Sequence, residues 1–116
     1  MESHIEEKSK IEEETRKILH LTLTKKWFDM IYSGIKKEEY REIKEYWDKR
    51  LSKEYDIIKF VNGYGSDKPV FWAEFLKAEK MIGEPYRLMY SNGLEVLVET
   101  GDIVITIGKI LERKNV

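Results

Sequence analysis

Hydrophobic and polar positions alternate cleanly from Ile18 to Leu23, with Leu19, Leu21 and Leu23 on one face and Ile18, His20 and Thr22 on the other. A period of two predicts a strand, and it places His20 on the more polar side. Thr24 stands where a helix N-cap is wanted. Trp27, Phe28, Met30 and Ile31 then recur at helical spacing over residues 25–33, and Gly34 falls at the left-handed C-terminal position. The charged run 36–41 has no period of its own. Ile43, Tyr46, Trp47 and Leu51 follow at i, i+3, i+4 and i+8, which predicts a short amphipathic helix.

The second half changes to strand patterning. Residues 56–61 form a short apolar run that ends at Asn62-Gly63-Tyr64-Gly65, a strong turn signal. Residues 69–79 alternate, with Phe71, Ala73 and Phe75 opposite Val70, Trp72, Glu74 and Leu76. Glu74 stands out there, because a lone carboxylate on an apolar face is costly if buried. The pattern favours an exposed face at Glu74 over a carboxylate reaching toward Lys36. Turn signals at Ser91-Asn92-Gly93 and Thr100-Gly101-Asp102 bracket a strand over 94–98. A last strand over 103–111, with Ile103, Ile105 and Ile107 opposite Val104 and Ile110, reads as covered on both sides. Strand, helix, charged segment, helix and several strands make an α+β chain, expected to form a small mixed β-barrel with flanking helices. Its expected core holds Leu21, Trp27, Phe28, Ile31, Phe60, Phe75, Ile105 and Ile107.

Length and charge refine this picture. A chain of 116 residues fits one domain over 18–116, preceded by a charged N-terminal extension, 1–17, whose only large apolar residues are Ile5 and Ile11. With no Cys and two isolated His, disulfide scaffolds, thiol nucleophiles and a Cys/His metal cluster are excluded, so neither metal nor cofactor is expected. No apolar stretch nears the ~18 residues of a membrane span. The expectation is a cytoplasmic protein with no membrane partner. The net charge of −1 hides an uneven distribution: residues 24–53 carry nine basic and six acidic side chains, a local +3. Such a patch attracts an anion locally but does not hold long duplex DNA.

Phosphate-binding glycine loops and the common hydrolase motifs are missing. Instead, Gly34-Ile35-Lys36-Lys37-Glu38-Glu39-Tyr40-Arg41-Glu42 concentrates charge at a glycine-marked corner. If this run is extended, Glu39 and Arg41 share a face and Tyr40 points away. Arg can take a phosphate or a base edge bidentately, Glu can accept from an exocyclic amine, and Lys adds charge. A salt-bridged surface segment is the plain alternative.

Gly34-x-Lys36-x-x-Glu39-x-Arg41 resembles the signature of the ASCH domain family of the PUA-like superfamily, in its short bacterial or phage-type form. Its place after the first strand and helix, the Val61-Asn62-Gly63-Tyr64-Gly65 segment and the closing strand 105–110 are also similar to that family. The resemblance covers residues 18–112. It implies a PUA-like β-barrel whose cleft is lined by Lys36, Glu39 and Arg41, with Gly34 turning the chain into it. It also implies a binding module for RNA or modified nucleotides, with Tyr40 and Tyr64 available to stack on bases. Some small relatives are amidohydrolases of N4-acetylcytidine that use a Lys, Thr and Glu set. Where that pattern has Thr, this chain has Glu39. The alternative function is therefore a small hydrolase of N4-acylated cytidine, or a ribonuclease, in which Lys36 and Glu39 are catalytic. A protein scaffold acting through the charged extension is a third reading.

Overall fold

The computed structural model describes residues 17–42, 55–63 and 67–116. The helix expected over 43–51, Tyr64 and residues 1–16 of the charged extension lie outside the described residues. The described chain is mostly β, with one short helix and a curled, half-barrel sheet. No helix among these residues is long and apolar enough to cross a membrane.

Strand β1 (Ile18–Leu23) is followed by helix α1 (Lys25–Tyr32) and strands β2 (Glu38–Arg41), β3 (Ile57–Asn62), β4 (Val70–Lys80), β5 (Tyr86–Met89), β6 (Glu95–Val98) and β7 (Ile103–Lys114). Five of them form one sheet in the order β1-β3-β4-β7-β2, and β5 and β6 pair separately. Strand β1 runs parallel to β3, with Ile18 opposite Ile57 and Leu23 opposite Asn62. A parallel pair needs a long crossover, and α1 lies in it. The other ladders are antiparallel. Because β1 and β2 stand at opposite edges of the sheet, α1 carries the chain from one edge to the other.

The alternation read from the sequence sets the core. Leu19, Leu21 and Leu23 of β1, Ile58 and Phe60 of β3, Phe71 and Ala73 of β4, and Ile103, Ile105 and Ile107 of β7 are buried together with Phe28 and Ile31 of α1. Phe71 is the hub. Its ring centre lies 4.9 Å from Phe28, edge to face, and 4.9 Å from Phe60, stacked. Trp27 and Phe75, also expected in the core, are half-buried and pack against it. Ile57 and Trp72 form a second small cluster on the opposite side of the sheet, flanked by Ile18 and Val70.

Three local features depart from the sequence reading. Thr24 begins α1 through its backbone carbonyl, which accepts from Phe28 N–H at 3.0 Å, and its hydroxyl makes no cap bond. The charged run at 38–41, which showed no period, is strand β2, and residues 86–89, not marked by periodicity, are β5. The third feature is the β4–β7 ladder, which is bulged. Trp72 faces Glu112, Ala73 faces Ile110 and Phe75 faces Ile107, so Leu111 and one residue of the Gly108–Lys109 pair are extra on β7. Bulges bend and twist a ladder, and here they curl the sheet. They also reset the alternation, so that Ile110 packs against the main core instead of the outer face. Glu74 sits opposite this irregularity. Its Oε1 accepts the Lys109 backbone N–H at 2.8 Å, satisfying a donor that the bulge takes out of the ladder. The carboxylate is half-buried on a face that opens to solvent at Leu76, and it binds the Lys109 backbone instead of reaching toward Lys36.

Candidate functional site

The site begins at the end of α1. Ser33 closes the helix by donating from its N–H to the Asp29 carbonyl at 2.9 Å. Gly34 then takes φ +87°, a conformation in which an L side chain is strained, and the chain reverses toward β2. Lys36 N–H donates to the Met30 carbonyl at 3.0 Å and Lys37 accepts from Ile107 N–H at 3.1 Å, so helix and sheet fix both ends of the turn. Strand β2 next pairs with β7, placing Glu39 opposite Ile105 and Arg41 opposite Ile103.

This path brings three charged side chains together. Lys36 Nζ donates to Glu39 Oε1 at 2.6 Å, and Arg41 Nη2 lies 2.8 Å from Glu39 Oε2. Lys36 is 3% and Glu39 7% exposed, the only charged residues buried so deeply among those described. One carboxylate thus bridges two cations, and the trio carries a net +1. Lys36 also lies 5.6 Å from the Trp27 ring centre and 5.2 Å from that of Tyr40, so its ammonium meets two aromatic faces. Burial pulls the Lys36 amine below its ordinary value of 10.5, against the opposing attraction of Glu39. The Tyr40 hydroxyl donates to Glu38 Oε1 at 2.6 Å, and burial first, then this carboxylate, holds the phenol well above its usual range.

Around Lys36 and Glu39 lies a pocket of about 140 Å³, lined by Leu23, Trp27, Tyr40 and Val96 as well as the ion pair. A cavity of about 150 Å³ accommodates one benzene ring, so the space suits a single six-membered ring. The roof comes from the β5–β6 hairpin. Val96 reaches the pocket, and Tyr90, just past β5, lies close enough to Tyr40 and Glu38 to interact with them electrostatically. A second, larger recess of about 300 Å³ shares Lys36 with the first. Its walls are Ile31, Gly34 and Lys37 on one side and Ile107, Gly108, Lys109 and Ile110 on the other.

Of the residues expected from sequence, Lys36 and Glu39 face the pocket directly. Arg41 reaches it only through Glu39, Gly34 lies in the second recess, and Tyr64 is outside the described residues. The sequence pattern places Trp27 in the core and assigns no role to Val96 or Tyr90. The helical spacing of Trp27 marks it as inward-facing, but nothing local distinguishes a pocket wall from a core position. The roof depends on a hairpin more than 50 residues further along the chain, which carries no motif. No group of three or more potential metal-ligating side chains occurs among the described residues. No protein-family model, curated protein or solved structure matches this chain.

Proposed function

We propose that this chain is a PUA-like, ASCH-type binding module for RNA or a nucleotide-like ligand, and that a single pyrimidine-sized base enters the pocket between Trp27 and Tyr40. The observation that carries this reading is the buried Lys36–Glu39 pair, 2.6 Å apart, facing a space the size of one ring beside two aromatic side chains. Burying ions is expensive, and apolar residues of similar volume usually serve stability as well or better. A charged trio retained in a small pocket therefore fits recognition better than structural support. One Lys36 proton is committed to Glu39, and the remaining two can donate to a ring nitrogen and carbonyl. Glu39 keeps lone pairs for an exocyclic amine. An aromatic face supplies stacking worth about 1–3 kcal/mol per base.

Titration calorimetry with cytidine, uridine, adenosine and guanosine tests the reading. The expected result is saturable binding of the pyrimidines, weaker or absent binding of the two-ring bases, and loss of binding in Lys36→Met. Glu39→Gln should shift the preference between cytidine and uridine, because a carboxylate only accepts whereas an amide also donates. Equal affinity for all four nucleosides, or none for any, would refute it.

The lowered affinity of Lys36 for its proton supports a second, hydrolytic reading. A neutral Lys36 can take a proton from water while the hydroxide adds to an acyl carbon, after which the cytosine amine leaves with that proton. Incubation with N4-acetylcytidine separates the two. Release of acetate and cytidine that is lost in Lys36→Met indicates the enzyme, and binding without turnover indicates the module.

A further inference from the structure

The larger recess beside the pocket is lined only by isoleucine, glycine and lysine residues. Its rim carries Lys37, from the turn after α1, and Lys109, from the bulge in β7. Both residues are exposed, and among the described residues neither side chain has a carboxylate partner. No acidic residue lines the recess. The Glu74 carboxylate lies beside Gly108 and accepts the Lys109 backbone N–H at 2.8 Å, while that of Glu39 is held by Lys36 and Arg41. Gly108, which lines the recess, has no space for a side chain, since a Cβ there would lie 2.6 Å from Glu74 Oε1. Lys36 lines both the recess and the ring-sized pocket.

We propose that the Lys37/Lys109 recess is a phosphate subsite, holding the phosphate group attached to a nucleoside whose base occupies the neighbouring pocket. The proposal rests on the reading of that pocket as a base site, and it adds the part of the ligand that the pocket cannot hold. Two unpaired cations at the mouth of a concave surface attract an anion, and a phosphate offers each ammonium its own oxygen. Lys36, a residue common to both, places the two sites side by side, as base and phosphate stand on one nucleotide. The chemistry is common to a 5′-phosphomonoester and to the phosphodiester of an RNA strand.

The test compares cytidine, cytidine 5′-monophosphate and the dinucleotide CpC, titrated against the wild-type chain, Lys37→Gln/Lys109→Gln, and the charge-matched control Lys80→Gln/Lys114→Gln. Wild type is expected to bind at least one of the phosphate-bearing probes about five- to tenfold more tightly than cytidine. That gain should vanish in the recess variant, persist in the control, and weaken with added salt. A gain for the monophosphate identifies a monoester site, and a gain for CpC alone identifies a site for the strand. Equal affinity for all three probes, or an equal loss in the control, overturns the subsite and leaves the base pocket standing. A monophosphate that binds through the two lysines while cytidine does not bind supports the subsite and removes the base pocket. No binding of any probe overturns both.

Discussion

Glu39 is the residue on which the trio depends. Its two oxygens hold Lys36 and Arg41, so Glu39→Gln leaves two cations facing an amide in a buried place. Removing the central partner of a buried pair costs about 3–5 kcal/mol, and the partial exposure of Arg41 places this case at the lower end. Lys36→Met should cost less, because Arg41 still neutralises the carboxylate. Urea denaturation of the two variants checks this order, and a smaller loss for Glu39→Gln than for Lys36→Met would contradict it. The pH dependence follows from the same residue. The folded chain holds the Lys36 proton less tightly than the unfolded chain does, so between the lowered folded value and 10.5 the unfolded state carries more protons. Stability therefore rises with pH across that window, and the cost of burying the charge is fully present below it. Lys36→Met should flatten the rise. Measurements belong below pH 10, because Tyr40 and Tyr90, both pushed up by burial, act in the opposite sense above it.

Among the elements, the bulged ladder of β4 and β7 has the most consequences. It curls the sheet, turns Ile110 toward the core and sets Lys109 at the rim of the recess. Gly108 makes this geometry possible through space, not through an unusual backbone angle. A Cβ at that position would lie 2.6 Å from Glu74 Oε1 and 2.8 Å from Glu74 Cβ, and the second atom cannot swing away without moving β4. Gly108→Ala should therefore destabilise the chain by about 1–3 kcal/mol. It should also weaken the bond from Lys109 N–H to Glu74, which amide hydrogen exchange at Lys109 reports as faster exchange. Unchanged stability and unchanged protection at Lys109 would show that the bulge accommodates a methyl group. The β5–β6 hairpin is the other element of interest. Val98 at the end of β6 is fully buried, whereas Met89 near the tip is 73% exposed, so the roof is anchored at its base and open at its end.

At the scale of the whole molecule, one aromatic hub joins the parts that carry the site. Phe71 of β4 touches Phe28 and Tyr32 of α1 and Phe60 of β3, and α1 leads directly into the turn that presents Lys36. Phe71→Ala should cost about 3–5 kcal/mol, a large share of the 5–15 kcal/mol that holds a typical domain folded. Thermal unfolding followed by near-ultraviolet circular dichroism measures it. The expected outcome is a single transition at much lower temperature, with nucleoside binding lost in the same transition. Binding that survives loss of the aromatic signal would show that the site does not depend on the hub.

How much of this was legible in the chain follows from the range of the interactions involved. Periodicity reports what neighbours along the chain do to one another. It was enough for β1, α1, β3, β4, β6 and β7, for the turn at Gly34 and for Glu39 and Arg41 on one face of an extended segment. The same local chemistry marks Lys36, a lysine two residues after a turn glycine and three before Glu39. It does not show that Glu39 is buried while bridging both of its cations, because its burial depends on β2 pairing with β7 and on Trp27 and Val96 closing in from elsewhere. Nor could it explain Glu74, an anomaly on its own strand that is resolved by a hydrogen bond to a residue 35 positions away. Lys37 and Lys109 meet for the same reason: one follows a helix, the other sits in a bulge, and the pairing of β2 with β7 brings them to one recess. Elements arise from short-range sterics and patterning, whereas the pocket, the bulge and the recess arise from register, which is set only when the whole sheet closes around its core.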